Sequence, residues 1–545
     1  SDCEKTAPPV QNYPYKDRFK NIIISYIYKK LYMLILRGQD RHQMQFYTLE
    51  DRIAPDNPVR FVDAFVDKID PDKLGFAVRT VKTEGRPAYE SKLFLKIYLY
   101  GYLNGIRSSR KLERECGRNT ELQWLTGNLQ PNYHSIADFR KDNPKALKGL
   151  FKLFVLFLKE AELVAGEVVA IDGAKVRASN SKKNNYSQKK IERHLAYIEE
   201  KMNEYLEQLE ANDKQEETEK INQIQEKIER LKVSKIRYEY LEGALQQSGD
   251  TQLSTTDADA RALLVQGQVV EVSYNVQAAV DEKHKLVIGT QTINRNDRNA
   301  LSDIATESKE NMGSEQITVL ADKGYHNGRE ISKCTEAGIT TIVAPSEIVN
   351  SNDKGTTPEY LVDKFKYDES TDSYTCPQGE KLETKGTWHK KTRDRDSYQY
   401  KKYRTPACKT CPVKHLCTGR AKGGREIERS EYAPAVQANN QRYKENTALY
   451  RKRQEINEHI FGTIKRGWGY GHTNLRVLEK VNGEYALIMT VYNMKRSMHI
   501  LGMPEILEKL KNWKPDYEKV VKFPPKNHFR AYDALQMVTI NILVA

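Results

Sequence analysis

Two short apolar runs, each stopped by an aspartate, constrain this chain more than any other feature. Val168 to Ile171 in "GEVVAIDGAKVRASN" and Ile317 to Ala321 in "ITVLADKGYHNG" are too short for helices and are bounded by glycine or polar residues. Each reads as a buried strand, the first ending at Asp172 and the second at Asp322. A carboxylate at such a place is costly unless a cation or strong hydrogen bonds compensate it. Around them, "QVVEVSYNVQAAVDEKHKLVIGTQTI" supplies two strands about a turn from Asp281 to His284, Ala300 to Lys309 a helix, and "AGITTIVAP" one more strand. The region after Gly166 is therefore a mixed α/β domain. Within it, Asp281 reads as a hairpin-turn residue and Asp297 as a helix cap.

The rest of the chain has other patterns. From Asn57 to about Leu163 apolar residues recur at helical spacing, and "YLNGIRSSRKLERECGRN" predicts a helix-turn-helix offering Arg107, Arg110, Lys111 and Arg114 to DNA. Between Tyr186 and about Gln247 two apolar stripes, Ile191 to Leu209 and Ile221 to Leu241, predict an antiparallel helical hairpin broken at "ANDKQEE". From about Thr357 to Glu426 the rhythm stops, and four cysteines gather: Cys376, then Cys408, Cys411 and Cys417 in "CKTCPVKHLC". Thiolates at C-x2-C spacing suit one tetrahedral zinc in a closed structural site, with His415 as a substitute ligand and reduced thiols as the bland alternative. Asn440 to Lys465 reads as one long helix, followed by an apolar helix from "NGEYALIMTVYNMKRSMHIL".

Charge narrows the partner. With 88 Lys and Arg against 74 Asp and Glu, the net charge is +14, which favours a polyanion through counterion release and makes nucleic acid the leading candidate. Lys29 and Lys30 split the apolar run Ile22 to Leu36, so no membrane span is expected and a reducing cytoplasm fits the cysteine usage.

The stretch "RQEINEHIFGTIKRGWGY" places Glu455 and Glu458 three residues apart. It falls one histidine short of the H-x-x-E-H zinc pattern, which sets a metalloprotease aside. A solvated face with pairs at helical spacing is the plain alternative. Together, "AIDGAKVRA", "YNVQAAVD", "LADKGYHNG" and "EHIFGTIKRGWGY" in this order resemble a DDE transposase of a bacterial insertion sequence, closest to the insertion-sequence-1182 group. "DNPVRFVDAFVD" and "GRPAYESKLFLKIYLYGYLNGIRSSRKLE" resemble that group's helical N-terminal domain, and the likeness runs from about Gly38 to Gly502.

The resemblance implies an α/β fold with a ribonuclease-H-like catalytic core, in which Asp172, Asp322 and Glu458 hold two Mg²⁺ ions, with Mn²⁺ as a substitute. It implies that Glu458 and Lys465 form a Glu-x6-Lys element, both facing one cleft because seven residues are nearly two helical turns. The related pattern has an apolar residue before this glutamate, where this chain has Asn457. Lys465, Arg466, Lys323 and His326 are placed against DNA, with Tyr325 lining the cleft and Trp468 and Tyr470 stacking on a displaced base or packing on the core. The partners implied are the terminal inverted repeats of the element, target DNA and a second copy of the chain. A non-catalytic DNA-binding derivative and a nuclease on the same fold are the alternatives. The expected organisation is an extension at 1–37 and a helical DNA-binding domain at 38–163. The core occupies 164–185 with 248–356 and resumes at 427–502, interrupted by the hairpin at 186–247 and the Cys-rich insertion at 357–426, and a tail follows at 503–545.

Overall fold

The computed structural model describes residues 20, 22–27, 38–76, 88–213, 218–265, 269–346, 356–393, 396–420 and 422–520. Most of the expected N-terminal extension, the hairpin break at Lys214–Glu217 and the tail beyond 520 lie outside the described residues. The chain divides into two units, 1–53 and 54–545. In the first, Glu50–Arg52 forms one 3-10 turn, preceded by Thr48, whose backbone N–H and hydroxyl both donate to Asp51 Oδ2.

The second unit is a mixed α/β structure with a helical N-terminal region. Its first helices are α1 (Pro58–Lys68), α2 (Ser91–Leu103), α3 (Ser109–Arg118), α4 (Thr120–Thr126), α5 (Tyr133–Asp142) and α6 (Pro144–Glu160). Local chemistry fixes their starts: Asn57 caps α1 ahead of Pro58, and the Ser108 hydroxyl accepts from Lys111 N to cap α3. The helix-turn-helix is present, and Gly101 lets it close. A Cβ there would stand 2.5 Å from Leu112 Cδ2 and 2.8 Å from the Ile106 carbonyl oxygen. Phe61, Phe65, Phe154 and Phe157 pack with Trp513 into an aromatic core.

Next come β1 (Val168–Arg177), β2 (Asn185–Ser187), the hairpin helices α7 (Gln188–Asp213) and α8 (Thr218–Ser248), and β3 (Gln252–Ser254). The hairpin's base is closed by Tyr186, Ile191, Leu241 and Leu245. Then follow β4 (Arg261–Val265), β5 (Val269–Asp281), β6 (Val287–Ile293), α9 (Leu301–Met312), β7 (Ile317–Ala321), α10 (Gly328–Glu336) and β8 (Ile339–Val343). The main sheet runs β4-β5-β1-β7-β8, with β6 also on β5. β1 is antiparallel to β5 and parallel to β7, so the strand direction switches beside it.

The expected end of the first strand is corrected. β1 does not stop at Asp172 but runs five residues further, because Ala174 and Val176 continue the pairing with β5 through Val276 and Tyr274. Asp172 therefore lies mid-strand, opposite Ala278. The parallel pairing with β7, by contrast, ends at Ala170 and Leu320.

The Cys-rich segment forms a second, antiparallel sheet whose last strand lies just past residue 426. It contains β9 (Lys366–Asp368), β10 (Ser373–Thr375), β11 (Lys381–Thr384), β12 (His389–Arg393), β13 (Asp396–Arg404) and β14 (Ile427–Ser430). Its core is Phe365, Tyr374, Leu382, Tyr403 and Ile427. The long helix expected from Asn440 to Lys465 is likewise two helices, α11 (Ala433–Glu445) and α12 (Thr447–Phe461), separated at Asn446 and followed by a π-helical stretch, Gly462–Gly467. The last helix, α13 (Leu478–Asn512), is interrupted at Gly502 (φ +75°) ahead of Pro504. None of the described helices is long and apolar enough to cross a membrane.

Helix asparagines cover two lateral strands of the main sheet, β6 and β8. On β6, Asn493 pairs with both the N–H and the carbonyl of Val287 at 2.8 and 2.7 Å, while Asn482 Oδ1 accepts from Thr292 N at 3.0 Å. Eleven helical residues rise about 16 Å and five strand residues about 17 Å, so the two asparagines match the strand's spacing. On β8, Asn439 makes the same double contact with Val343, and Arg442 Nε donates to the Thr341 carbonyl.

Candidate functional site

Asp172 and Asp322 stand at corresponding positions on the two central parallel strands. Asp172 lies two residues past the last β1–β7 pair, and Asp322 lies two residues past it on the other strand. The parallel pairing of β1 with β7 stops just before this pair, so both carboxylates stand where the two strands part. Asp322 Oδ1 accepts from Gly324 N at 2.8 Å, capping the 3-10 turn Lys323–Tyr325, and Asp172 Oδ1 accepts from Gly173 N at 2.8 Å. Both side chains are half-buried. Burial, helped by the negative charges of Asp322 and Asp297, pushes the Asp172 carboxyl up to about 6 against the Gly173 N–H and Arg453, which lower it. Two carboxylates in this relation are relieved by a divalent cation, which fits oxygen ligands of this kind.

Asp297 belongs to the site and not to a helix cap. Successive strand residues face opposite sides, so Gly173 and Lys175 look away from Asp172 toward their partners Gln277 and Asn275 on β5. There Asp297 accepts from Lys175 Nζ at 2.7 Å, Asn275 Nδ2 at 2.8 Å and Gln277 Nε2 at 2.9 Å. Burial alone would raise its carboxyl, yet these bonds and the Lys175 charge hold it below the usual range. The buried Tyr325 hydroxyl donates to Gln277 Oε1, closing the network under the Asp322 turn. Gly173 makes room for it: a Cβ there would lie 2.3 Å from Gln277 Nε2 and 2.5 Å from Asp297 Oδ1. The signal in the sequence was the run of polar residues at alternate positions, Glu271, Ser273, Asn275 and Gln277, whose last two reach into the buried half of the strand.

α12 presents a different set from the one expected. Its buried positions are Ile456, Asn457 and Ile460, and the residue whose charge acts on Asp172 is Arg453. Glu458 is exposed, about 100° round the helix from Asn457, and Glu455 pairs instead with Lys285 at 3.1 Å. Glu458 and Lys465 are not joined by one continuous α-helix. The π-helical stretch between them turns less per residue than an α-helix, and Lys465 Nζ ends on the carbonyl of Lys175 at 2.9 Å. Burial also lowers the Lys465 ammonium from its ordinary value. Asn457 takes the position on the Arg453 side, with neither side-chain polar atom hydrogen-bonded, and Arg453 Nε is also buried without a partner. Among the described residues, no three His, Cys, Asp or Glu side chains are gathered closely enough to hold a metal ion.

The remaining candidates separate into interior and surface. Arg107 is corrected to the interior: it is 7% exposed, donates to Glu484 Oε1 at 2.7 Å and to the His472 carbonyl, and stacks on Tyr470. Tyr470 is buried against Tyr102, which leaves core packing and not base stacking as its part. Trp468 is half-buried, with the Lys495 ammonium over its ring. His326 Nε2 lies 3.2 Å from Asn440 Oδ1, and burial holds its imidazole toward the neutral form. Arg110, Lys111, Lys323 and Arg466 are exposed.

Two family models match the chain. Residues 47–142 match a transposase domain (DUF772), and residues 375–498 match a transposase DDE domain. The second match takes in α12 and the cysteine-bearing sheet, while Asp172 and Asp322 precede it. No curated protein matches the chain.

Proposed function

From a chain that carries a transposase domain and a transposase DDE domain, we infer a DDE transposase of an insertion sequence, acting on DNA by phosphoryl transfer on a ribonuclease-H-like core. The observation that carries the reading is the pair Asp172 and Asp322 beside the switch in strand direction, with the Asp172 carboxyl raised to about 6. These two carboxylates would hold Mg²⁺, or Mn²⁺ in its place; the bound ion supplies Lewis-acid polarisation of a phosphate oxygen. The residues around them have their own parts. Asp297, fixed by Lys175, Asn275 and Gln277, braces β1 and β5 behind Asp172, and Arg453 offers an unpartnered donor on the side of the pair. Glu458 is the third carboxylate of the proposed two-metal site, although it stands apart from the pair in this structure.

The substrates proposed are the terminal repeats of the element and its target DNA, cut and joined by a homodimer in the bacterial cytoplasm. Arg110, Lys111, Lys323 and Arg466 contribute phosphate contacts, the first two from the helix-turn-helix. The test is metal-dependent cleavage and joining of labelled DNA from the borders of this protein's own gene, with wild type beside Asp172→Asn, Asp322→Asn, Glu458→Gln and Glu455→Gln. Loss of both activities in the two aspartate variants and in Glu458→Gln, with Glu455→Gln active, supports the reading. Cleavage without joining points to a nuclease. Specific binding with no cleavage by wild type leaves the DNA-binding derivative.

A further inference from the structure

The four cysteines of the second sheet come from separate parts of the chain and face one cavity. Cys376 sits in the turn between β10 and β11, Cys408 and Cys411 in and after the 3-10 turn Pro406–Lys409, and Cys417 at the end of the short helix Lys414–Cys417. All four line a cavity of about 30 Å³ together with Phe365, Leu382 and Arg425. That is room enough for a small ion among the four thiols. His415 is exposed and does not line it.

The surrounding backbone is arranged to bring sulfur inward. Gly379 N donates to the Cys376 carbonyl and Cys376 N to the Glu380 carbonyl, with Gly379 at φ +85°, a tight knuckle that only glycine adopts readily. Gly424 lets the returning strand pass Cys408: a Cβ there would lie 2.2 Å from Cys408 Cβ. Cys376 and Cys417 pack on the sheet's aromatic core, so their thiols have a fixed apolar wall behind them.

A second observation points to anionic sulfur. Arg425 lines the cavity, and its Nε is buried without a hydrogen-bond partner, although its Nη1 reaches Thr356 Oγ1 and the Cys417 carbonyl. A buried guanidinium N–H facing neutral thiols is left unsatisfied, whereas facing thiolates it gains an acceptor. Four thiolates on a divalent cation carry a net charge of −2; of the charged residues lining the cavity, Arg425 and Lys414 offset it and Glu380 adds to it.

We propose that Cys376, Cys408, Cys411 and Cys417 bind one Zn²⁺ as a closed structural site that pins the segment after β13 to the β10–β11 turn. The thiols are not drawn to ligand spacing in the described chain, so the ion completes the site by gathering them. Ligation releases the thiol protons to solvent and involves no redox step. With four protein ligands it leaves no open coordination position, which separates it from metal chemistry at Asp172 and Asp322. The inference does not rest on the transposase reading, because metal content is measured without DNA.

The test uses the full chain, purified without chelator and dialysed. About one zinc per chain is expected by elemental analysis. Replacement by Co²⁺ should give the intense thiolate charge-transfer and visible bands of a tetrahedral sulfur site. Cys376→Ser and Cys411→Ser should retain roughly a tenth of an equivalent or less. Cys116→Ser and Cys334→Ser, at buried sites elsewhere, should keep the full amount. A wild-type chain that takes up Co²⁺ without thiolate bands overturns the proposal, whether or not any variant folds. So does a Cys376→Ser chain that holds zinc as wild type does.

Discussion

Replacing Asp172 with asparagine is expected to stabilise the metal-free protein while abolishing its chemistry. The unfolded carboxyl titrates near 3.8 and the folded one near about 6, so ionising Asp172 costs the folded state. At 1.36 kcal/mol per pH unit, the gap corresponds to about 3 kcal/mol, an upper figure because water screens the exposed part. The sign follows from proton linkage. As pH rises from 3.8 to about 6, the unfolded chain sheds its proton first, so wild type loses stability over that window and carries the full cost above it. Asparagine has no such cost. The variant's advantage should be about 3 kcal/mol at pH 8 and under about 1 kcal/mol by pH 4. The second unit spans 54–545, for which about 2 cal/mol/K per residue gives an unfolding entropy near 1 kcal/mol/K. Melting as one body, it should gain about 3 °C at pH 8. Calorimetry at both pH values, with and without Mg²⁺, reads this directly, and Mg²⁺ should raise the melting temperature of wild type more than that of the variant. A variant no more stable than wild type at pH 8, or equally stabilised at both pH values, refutes the assignment of the cost to a buried charge.

Four further outcomes are expected. Arg107→Met removes the nearer cation from the buried Glu484, which keeps only Arg140 at 3.9 Å and the N–H groups of Asn474 and Leu475, at a cost of about 3 kcal/mol in denaturant unfolding. The double variant Arg110→Ala, Lys111→Ala should stay within about 0.5 kcal/mol of wild type, yet flatten the salt dependence of DNA binding by roughly two counterions; an unchanged salt slope removes these residues from the interface. Gly173→Ala drives a methyl into Gln277 and Asp297 and should cost about 1–3 kcal/mol with loss of activity, whereas an active, unaltered protein would show the network to be slack. Asn493→Ala orphans the N–H and carbonyl of Val287, about 1–3 kcal/mol for each group, measured by thermal unfolding.

What was legible in the sequence was whatever local pattern decides alone. The strands at Val168 and Ile317, the Asp281 turn and the hairpin helices follow from apolar periodicity, and Ser108 announces its helix by capping it. Three things escaped. Asp172 read as a strand end because Gly173 looked like a terminator, when it is glycine for closeness to Asp297 inside a continuing strand. The strands of the second sheet went unread because stretches such as "HKKTR" are short and carry charge on exposed positions. Arg107 read as surface because its partner, Glu484, is 377 positions away, beyond the reach of any local rule.

The asparagine seals on the main sheet also set a timetable. A sheet edge closed by a neighbouring strand is finished when that strand is made, but β6 waits for Asn493, which lies 206 positions later in the chain. On a ribosome adding 5–20 residues per second, that is roughly 10–40 s during which Val287 offers its N–H and carbonyl to any passing strand. The edge at Val343 waits for Asn439, 96 positions on. The core is therefore completed from its far end, and a chain cut short before α13 would retain its strands while leaving one of them open to the strands of another molecule.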